Sequence, residues 1–220
     1  MSKARETFDQ KLKDLRDNIL HLGEIAEAAV GLAVQALKDQ DEELARQVIA
    51  GDEEINDERY DLEEECLRLI ATQQPTAGDL RAIVAAIHIV TELERMGDYA
   101  SGIAELAIRL ADKPHLKPLI DIPRMTKIDQ EMIRASLEAY FKKDPDLAIE
   151  TAKRDAEIDQ LYDQIYRELL TYMLEDPKNI ARATHLLWVA HKLERIADRV
   201  TNICERVIFM TTGEFQELSF

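Results

Sequence analysis

The segment Leu93-Glu94-Arg95-Met96-Gly97-Asp98 decides the fold, because it returns 100 residues later as Leu193-Glu194-Arg195-Ile196-Ala197-Asp198. Four of the six positions are identical between the two copies, and Ile103 further along returns as Ile203. Repetition of a long segment at a fixed distance is typical of a duplicated structural unit. The sequence therefore predicts two copies of one architecture.

The segment before this motif repeats as well, at a distance of 103 residues. Hydrophobic side chains recur every seven positions from Val48 to Leu69, a period that is typical of a helix packed in a bundle. Residues 155–172 repeat the pattern, with Asp155 in the place of Asp52. No window alternates with the period of two that indicates a strand.

Prolines divide the chain into helices, because a proline inside a helix removes a hydrogen bond and clashes with the preceding turn. The cluster from Pro114 to Pro123 indicates a linker, and the other three prolines mark helix starts. The predicted fold class is all-α, with two tandem three-helix bundles at residues 1–112 and 123–220 and a linker at 113–122. The six long helices are expected at about 4–38, 41–73, 76–111, 123–142, 145–174 and 178–211.

The composition of the 220 residues supports long helices, with 46% hydrophobic, 33% charged and only 5% aromatic residues. The 28 basic and 44 acidic side chains give a net charge of −16, which disfavours nucleic acid and anionic lipid as partners. The N-terminus lacks an apolar leader, and no stretch approaches the ~18 apolar residues of a membrane span. We therefore expect a cytoplasmic protein with no direct membrane insertion, in which Cys66 and Cys204 are thiols of the core.

Paired carboxylates are the feature of the sequence that points to chemistry. Side chains four residues apart lie side by side on a helix, and the acids of each motif recur at this spacing. A second acid pair, Asp155 and Asp159, lies on the fifth predicted helix and could face the second motif. In the first half, the matching pair is Asp52 and Asn56. Such oxygen donors suit Mg, Mn or Fe ions, in mono- or polynuclear sites. The candidate ligands are Glu94, Asp98, Asp155, Asp159, Glu194, Asp198, Asp52 with Asn56, and Asn202.

The alternative interpretation is that these acids form solvated faces with salt bridges to Arg95, Arg195 and Arg199, each worth at most about 1 kcal/mol. No Glu-x-x-His occurs, so the usual di-iron carboxylate pattern is missing, although His88 and His191 lie near the motifs. The sequence also has no phosphate-binding loop, nucleophile elbow or HExxH motif. We therefore predict that the protein is not an enzyme and holds no organic cofactor.

The chain resembles the PhoU family of phosphate-uptake regulators over nearly its whole length. The resemblance rests on the two motifs, on residues 74–81 at the start of the third predicted helix, on 171–177, and on 202–205. It implies a homodimer that works with the ATPase subunit of the Pst phosphate ABC transporter and with the phosphate-sensing histidine kinase. Such a protein would be cytoplasmic, peripheral to the inner membrane through its partners, and a negative regulator of phosphate uptake and of the phosphate-starvation response.

Some members of this family carry iron or other ions on paired ExxxD motifs. The resemblance extends this property to Glu94, Asp98, Glu194 and Asp198 and, on the fifth predicted helix, to Asp155 and Asp159. In the first half the matching partner pair is Asp52 and Asn56. Asn56 leaves the first-half site one charge short. Two further functions stay open on the residues alone. One is a carboxylate-based metal storage or redox bundle, and the other is a plain helical scaffold.

Overall fold

The structure, a computed structural model, describes the backbone of residues 3–219 and the side chains of residues 5–219. It confirms the all-α prediction, since the described residues form helices and no strand. The helices are α1 (Lys3–Asp39), α2 (Glu42–Gln73), α3 (Ala77–Leu110), α4 (Asp121–Lys142), α5 (Pro145–Ala152), α6 (Asp155–Glu175) and α7 (Ile180–Thr212), with a single turn of 3-10 helix at Pro177–Asn179 before α7.

The prediction of one continuous helix over 145–174 is wrong, because the helix is interrupted at Lys153 and Arg154. The backbone N–H of Arg154 donates to the carbonyl of Thr151, so the last turn of α5 is tightened. The guanidinium of Arg154 is held by Glu131 on α4, with 2.8 Å between Nη2 and Oε2. The interruption places Asp155 in the first turn of α6, where the helix dipole favours a negative charge.

The two copies bury equivalent positions. On α1, Leu22, Ala26 and Leu37 are buried, and the positions 103 residues later on α4 are buried as well. Two of these replacements change the chemistry, since Ala26 corresponds to Asp129 and Leu37 to Tyr140. At these three positions, the second copy therefore has polar groups where the first copy is entirely apolar.

The two copies share an interface in which α3 packs along α7, while α1 packs against α4. Helix α3 also packs on α1 and α2, and α7 on α4, α5 and α6. Glu92 crosses this interface, since its Oε2 accepts hydrogen bonds from Arg199 and Asn202, each at 3.2 Å. Helices α3 and α7 therefore lie at the centre of the molecule.

Helix α1 differs from the expectation that no segment is long and apolar enough to span a membrane. In the part of the chain that the structure covers, it is the one helix long and apolar enough, by length and composition, to cross a membrane. Its apolar side chains Leu22, Val30 and Leu37 are completely or almost completely buried against neighbouring helices. Packing in the core accounts for its apolar composition.

The predicted core thiols are confirmed, since Cys66 and Cys204 are both buried and unpaired. Burial raises the pKa of each thiol to about 12, which keeps both protonated and unreactive at neutral pH.

Candidate functional site

The carboxylates of the second copy meet where α6 packs against α7. Asp155 and Asp159 lie on successive turns of α6 and face Glu194 and Asp198 on α7. Burial, followed by the charges of Asp159, Asp198 and Glu194, raises the pKa of Asp155 to about 6. One oxygen of Asp155, Oδ1, is enclosed and accepts no hydrogen bond. The four acids are therefore close enough to affect one another's charge, and we call them the α6–α7 cluster.

Two basic side chains border the α6–α7 cluster. Arg195 lies between the acids of its own helix, with Nη2 2.8 Å from Asp198 Oδ2 and Nη1 3.9 Å from Glu194 Oε1. On the other side, His191 Nδ1 is 3.1 Å from Glu194 Oε2. Four acids thus face a single guanidinium, and the cluster keeps an excess of negative charge at neutral pH.

A fifth carboxylate, Asp129 on α4, lies next to this cluster. It is not among the candidate ligands predicted from the sequence. It is completely buried, and neither of its oxygens has a hydrogen-bond partner among the described residues. Burial, together with the charge of Asp155, raises its pKa well above the ordinary value. The signal that could have found it is its register, because it stands where the first copy has the core residue Ala26.

The first copy forms a smaller cluster from Asp52 on α2 and from Glu94 and Asp98 on α3. Burial and the charge of Asp98 raise the pKa of Asp52, and burial and Asp98 raise that of Glu94. Here Asn56 donates a hydrogen bond of 3.3 Å to Asp52 Oδ2, and Arg59 Nε lies 3.6 Å from Glu94 Oε1. An amide and a guanidinium therefore stand where the second copy has Asp159 and Tyr162.

Gly97 explains how closely α2 and α3 approach at this cluster. A methyl group at Gly97 would lie 2.9 Å from Ile55 Cδ1 and 3.2 Å from Asp52 Oδ1. The equivalent residue of the second copy is Ala197, which is completely buried. The helix pair of the second copy thus accommodates the extra methyl group that the first copy excludes.

Asn202 is engaged elsewhere, since its amide donates to Glu92 on α3. Arg95 and Arg199 also form ion pairs with Glu92, at 3.0 and 3.2 Å. Among the three arginines of the salt-bridge interpretation, Arg195 alone forms ion pairs with a motif acid. The other two arginines pair with Glu92, which the sequence did not identify as a candidate.

Within the described residues, no group of three or more His, Cys, Asp or Glu side chains is arranged so that it could hold a metal ion. The chemistry of the α6–α7 cluster nevertheless fits a hard cation, because its donors are all carboxylate oxygens and Asp155 Oδ1 is unpartnered. A bound cation would offset the repulsion that raises the pKa of Asp155. The first-copy cluster fits less well because it has three acids instead of four, while each cluster has one guanidinium beside it.

We expect Asp155→Asn to raise the free energy of unfolding of the metal-free protein at pH 7 by about 2 kcal/mol. The folded form binds the Asp155 proton more tightly than the unfolded form, so the wild type loses stability as the pH rises from about 4 through 6. Urea denaturation in a chelator, between pH 4 and 7, measures the difference. The gain should vanish near pH 4, and Asp57→Asn on the exposed face of α2 should show no such dependence. Equal stabilities of variant and wild type at pH 7 would contradict this interpretation.

A family model described as "PhoU domain" matches the chain twice, at residues 19–107 and 122–207. A protein of Aquifex aeolicus named "Phosphate-specific transport system accessory protein PhoU homolog" is 43% identical over 205 residues, which cover 93% of this chain and 93% of the relative. A protein of the same name from Clostridium acetobutylicum is 40% identical over 217 residues, covering 98% of this chain and 99% of the relative.

Two solved structures are similar to the whole chain. The crystal structure of PhoU from Pseudomonas aeruginosa superposes with a TM-score of 0.90 at 38% identity, covering 94% of this chain and 100% of that one. The phosphate transport system regulatory protein PhoU from Streptococcus pneumoniae gives a TM-score of 0.90 at 33% identity, covering 96% of this chain and 100% of that one.

Proposed function

The chain belongs to the PhoU family, and on that premise we propose that it is a non-enzymatic accessory protein of a phosphate transporter. The observation that carries the proposal is the match over nearly the full length to relatives that are named accessory proteins of the phosphate-specific transport system. Identity of about 40% along the whole chain involves both copies of the repeat.

The finer proposal is that the chain is a cytoplasmic adaptor between the transporter ATPase subunit and a phosphate-sensing histidine kinase. A protein that performs no chemistry can restrain a kinase only by binding its two states with unequal affinity. The long acidic helices offer surfaces for such contacts, and a net charge of −16 favours basic protein surfaces as partners. The chain would act as a homodimer, at the inner membrane through its partners.

Deleting the gene in its own host tests this proposal. We expect the deletion strain to express phosphate-starvation genes in phosphate-rich medium, because the kinase would lose the contact that holds its repressing state. Reporter expression measures the effect, and the intact chain supplied in trans should restore repression. Normal repression in the deletion strain would reject the proposal.

We also propose that the α6–α7 cluster binds a divalent cation or iron, on the observation that Asp155 Oδ1 is enclosed without a partner among four acids. Elemental analysis of protein purified without chelator tests the cation, and Glu194→Ala and Asp198→Ala test its purpose. Loss of metal with intact phosphate signalling would favour storage or redox chemistry. Loss of both metal and phosphate signalling would indicate that the regulatory function requires the bound cation.

A further inference from the structure

A cavity of about 430 Å³ lies at one end of the molecule, away from both carboxylate clusters. It is formed jointly by the two copies, with α1 and the start of α3 on one side and the ends of α4 and α7 on the other. Its polar lining includes Arg16, Gly78, Asp79, Tyr140, Lys143 and Thr211. We call it the end cavity.

Two cations of the end cavity have no carboxylate partner among the described residues. The half-buried Arg16 donates from Nε to the carbonyl of Leu12 at 3.2 Å, which leaves its terminal nitrogens for other acceptors. Lys143 ends α4 in the left-handed backbone conformation, with φ of 55°. The carboxylate in the wall, Asp79, is already engaged, since both oxygens accept from Arg5, at 2.6 and 3.1 Å. Hydrogen bonds from Arg5, the largest cause, lower the pKa of Asp79 to about 2.

Tyr140 gives the end cavity a buried donor. Its side chain is 2% exposed, and its hydroxyl makes no hydrogen bond to any described residue. Arg16 is the charged group that most affects it, since the positive charge lowers a pKa that burial raises. A hydroxyl without a partner on a side chain this deeply buried is unfavourable for folding, and an acceptor bound in the end cavity would satisfy it.

Comparison of the two copies shows that the fold itself does not require these groups. Tyr140 corresponds to Leu37, an apolar core residue. Lys143 corresponds to Gln40, which has the same left-handed backbone, with φ of 56°. The amide of Gln40 caps carbonyls at the end of α3, including that of Leu110 at 3.1 Å, whereas Lys143 lines the end cavity. The second copy therefore has a hydroxyl and a cation at the two positions where the first copy has an apolar side chain and an amide.

We propose that the end cavity binds a phosphate group, carried by inorganic phosphate or by a phosphomonoester. Arg16 and Lys143 supply the positive charge, and the Tyr140 hydroxyl donates to a third oxygen. Gly78, in the first turn of the 34-residue helix α3, leaves open space beside its backbone, and the helix dipole adds to the positive potential there. The volume exceeds that of a single phosphate and leaves room for an attached group. This inference goes beyond the accessory role and rests on the cavity alone.

Calorimetric titration of the purified full-length chain tests this proposal, with inorganic phosphate and glycerol 3-phosphate as separate probes at constant ionic strength. We expect one site per chain. Arg16→Gln combined with Lys143→Gln should weaken binding by about tenfold or more, and Tyr140→Phe by about threefold. Arg124→Gln, on the exposed side of α4 outside the cavity, should leave the affinity unchanged.

Tyr140→Phe keeps the ring in the core, so it decides the question even if the double variant fails to fold. Binding of one probe alone would support the proposal and identify the source of the phosphate group. The proposal is overturned if neither probe binds below about 10 mM, or if Tyr140→Phe and the cavity cations leave the affinity unchanged. The titration uses no transporter or kinase, so its result is separate from the test of the accessory role.

Discussion

Replacing Asp155 and Asp198 together with asparagine should weaken Mn²⁺ binding by about 100-fold or more, since hard cations depend on the number of charged oxygen ligands. Two of the four acids of the α6–α7 cluster are removed, and one of them carries the enclosed oxygen Oδ1. The side chains keep their shape, and the Asp155 substitution alone is expected to stabilise the fold. A loss of binding would therefore report the loss of charge, and titration calorimetry of chelator-stripped protein measures it.

The chain contains a matched control for this experiment. Asp52→Asn combined with Asp98→Asn makes the equivalent change in the first copy, where Arg59 and Asn56 already reduce the negative charge. We expect this variant to lose much less Mn²⁺ affinity at the stronger site. Equal losses in both variants, or full binding after the second-copy change, would refute the assignment of the stronger site to α6 and α7.

Glu92→Ala should lower the free energy of unfolding by about 3 kcal/mol, because it removes a buried acid that pairs with Arg199 and Asn202 of the other copy and with Arg95 of its own helix. Glu92 is 9% exposed and accepts from Arg95, Arg199 and Asn202. Its removal leaves Arg199, with a side chain only 15% exposed, without its counterion.

Urea denaturation at pH 7 measures this loss. Glu105→Ala, an exposed acid on the same helix, is the control and should change stability by no more than about 0.5 kcal/mol. Glu92→Gln keeps a hydrogen-bond acceptor and should lie between the two. A Glu92→Ala variant as stable as the Glu105→Ala control would show that the ion-pair group contributes nothing to joining the copies.

The helices could be predicted because their signals are local and repeated. The seven-residue recurrence from Val48 to Leu69 and the prolines at helix starts mark elements without knowledge of their neighbours. The interruption at Lys153 and Arg154 could not be predicted in this way, because it contains neither proline nor glycine. At the interruption, Arg154 contacts Glu131 on another helix. Local periodicity does not reveal contacts between helices.

The candidate site shows the same division. Helix spacing placed Glu194 beside Asp198, and the repeat suggested that Asp155 faces them, so the couplets were predictable. Asp129 was not, because a single acid in an apolar pattern is interpreted as a surface position until its burial is known. Asn202 was assigned by its distance along the helix, whereas packing of α7 on α3 directs its amide to Glu92.

Anomalous diffraction from crystals of the full-length chain grown with Mn²⁺ is the most direct test of the central claim, that the duplicated acid pairs of the second copy form a cation site. We expect a peak between α6 and α7, with oxygens of Asp155 and Asp198 at about 2 Å. A saturated crystal with no peak there, or with peaks only at other acids, would contradict the account.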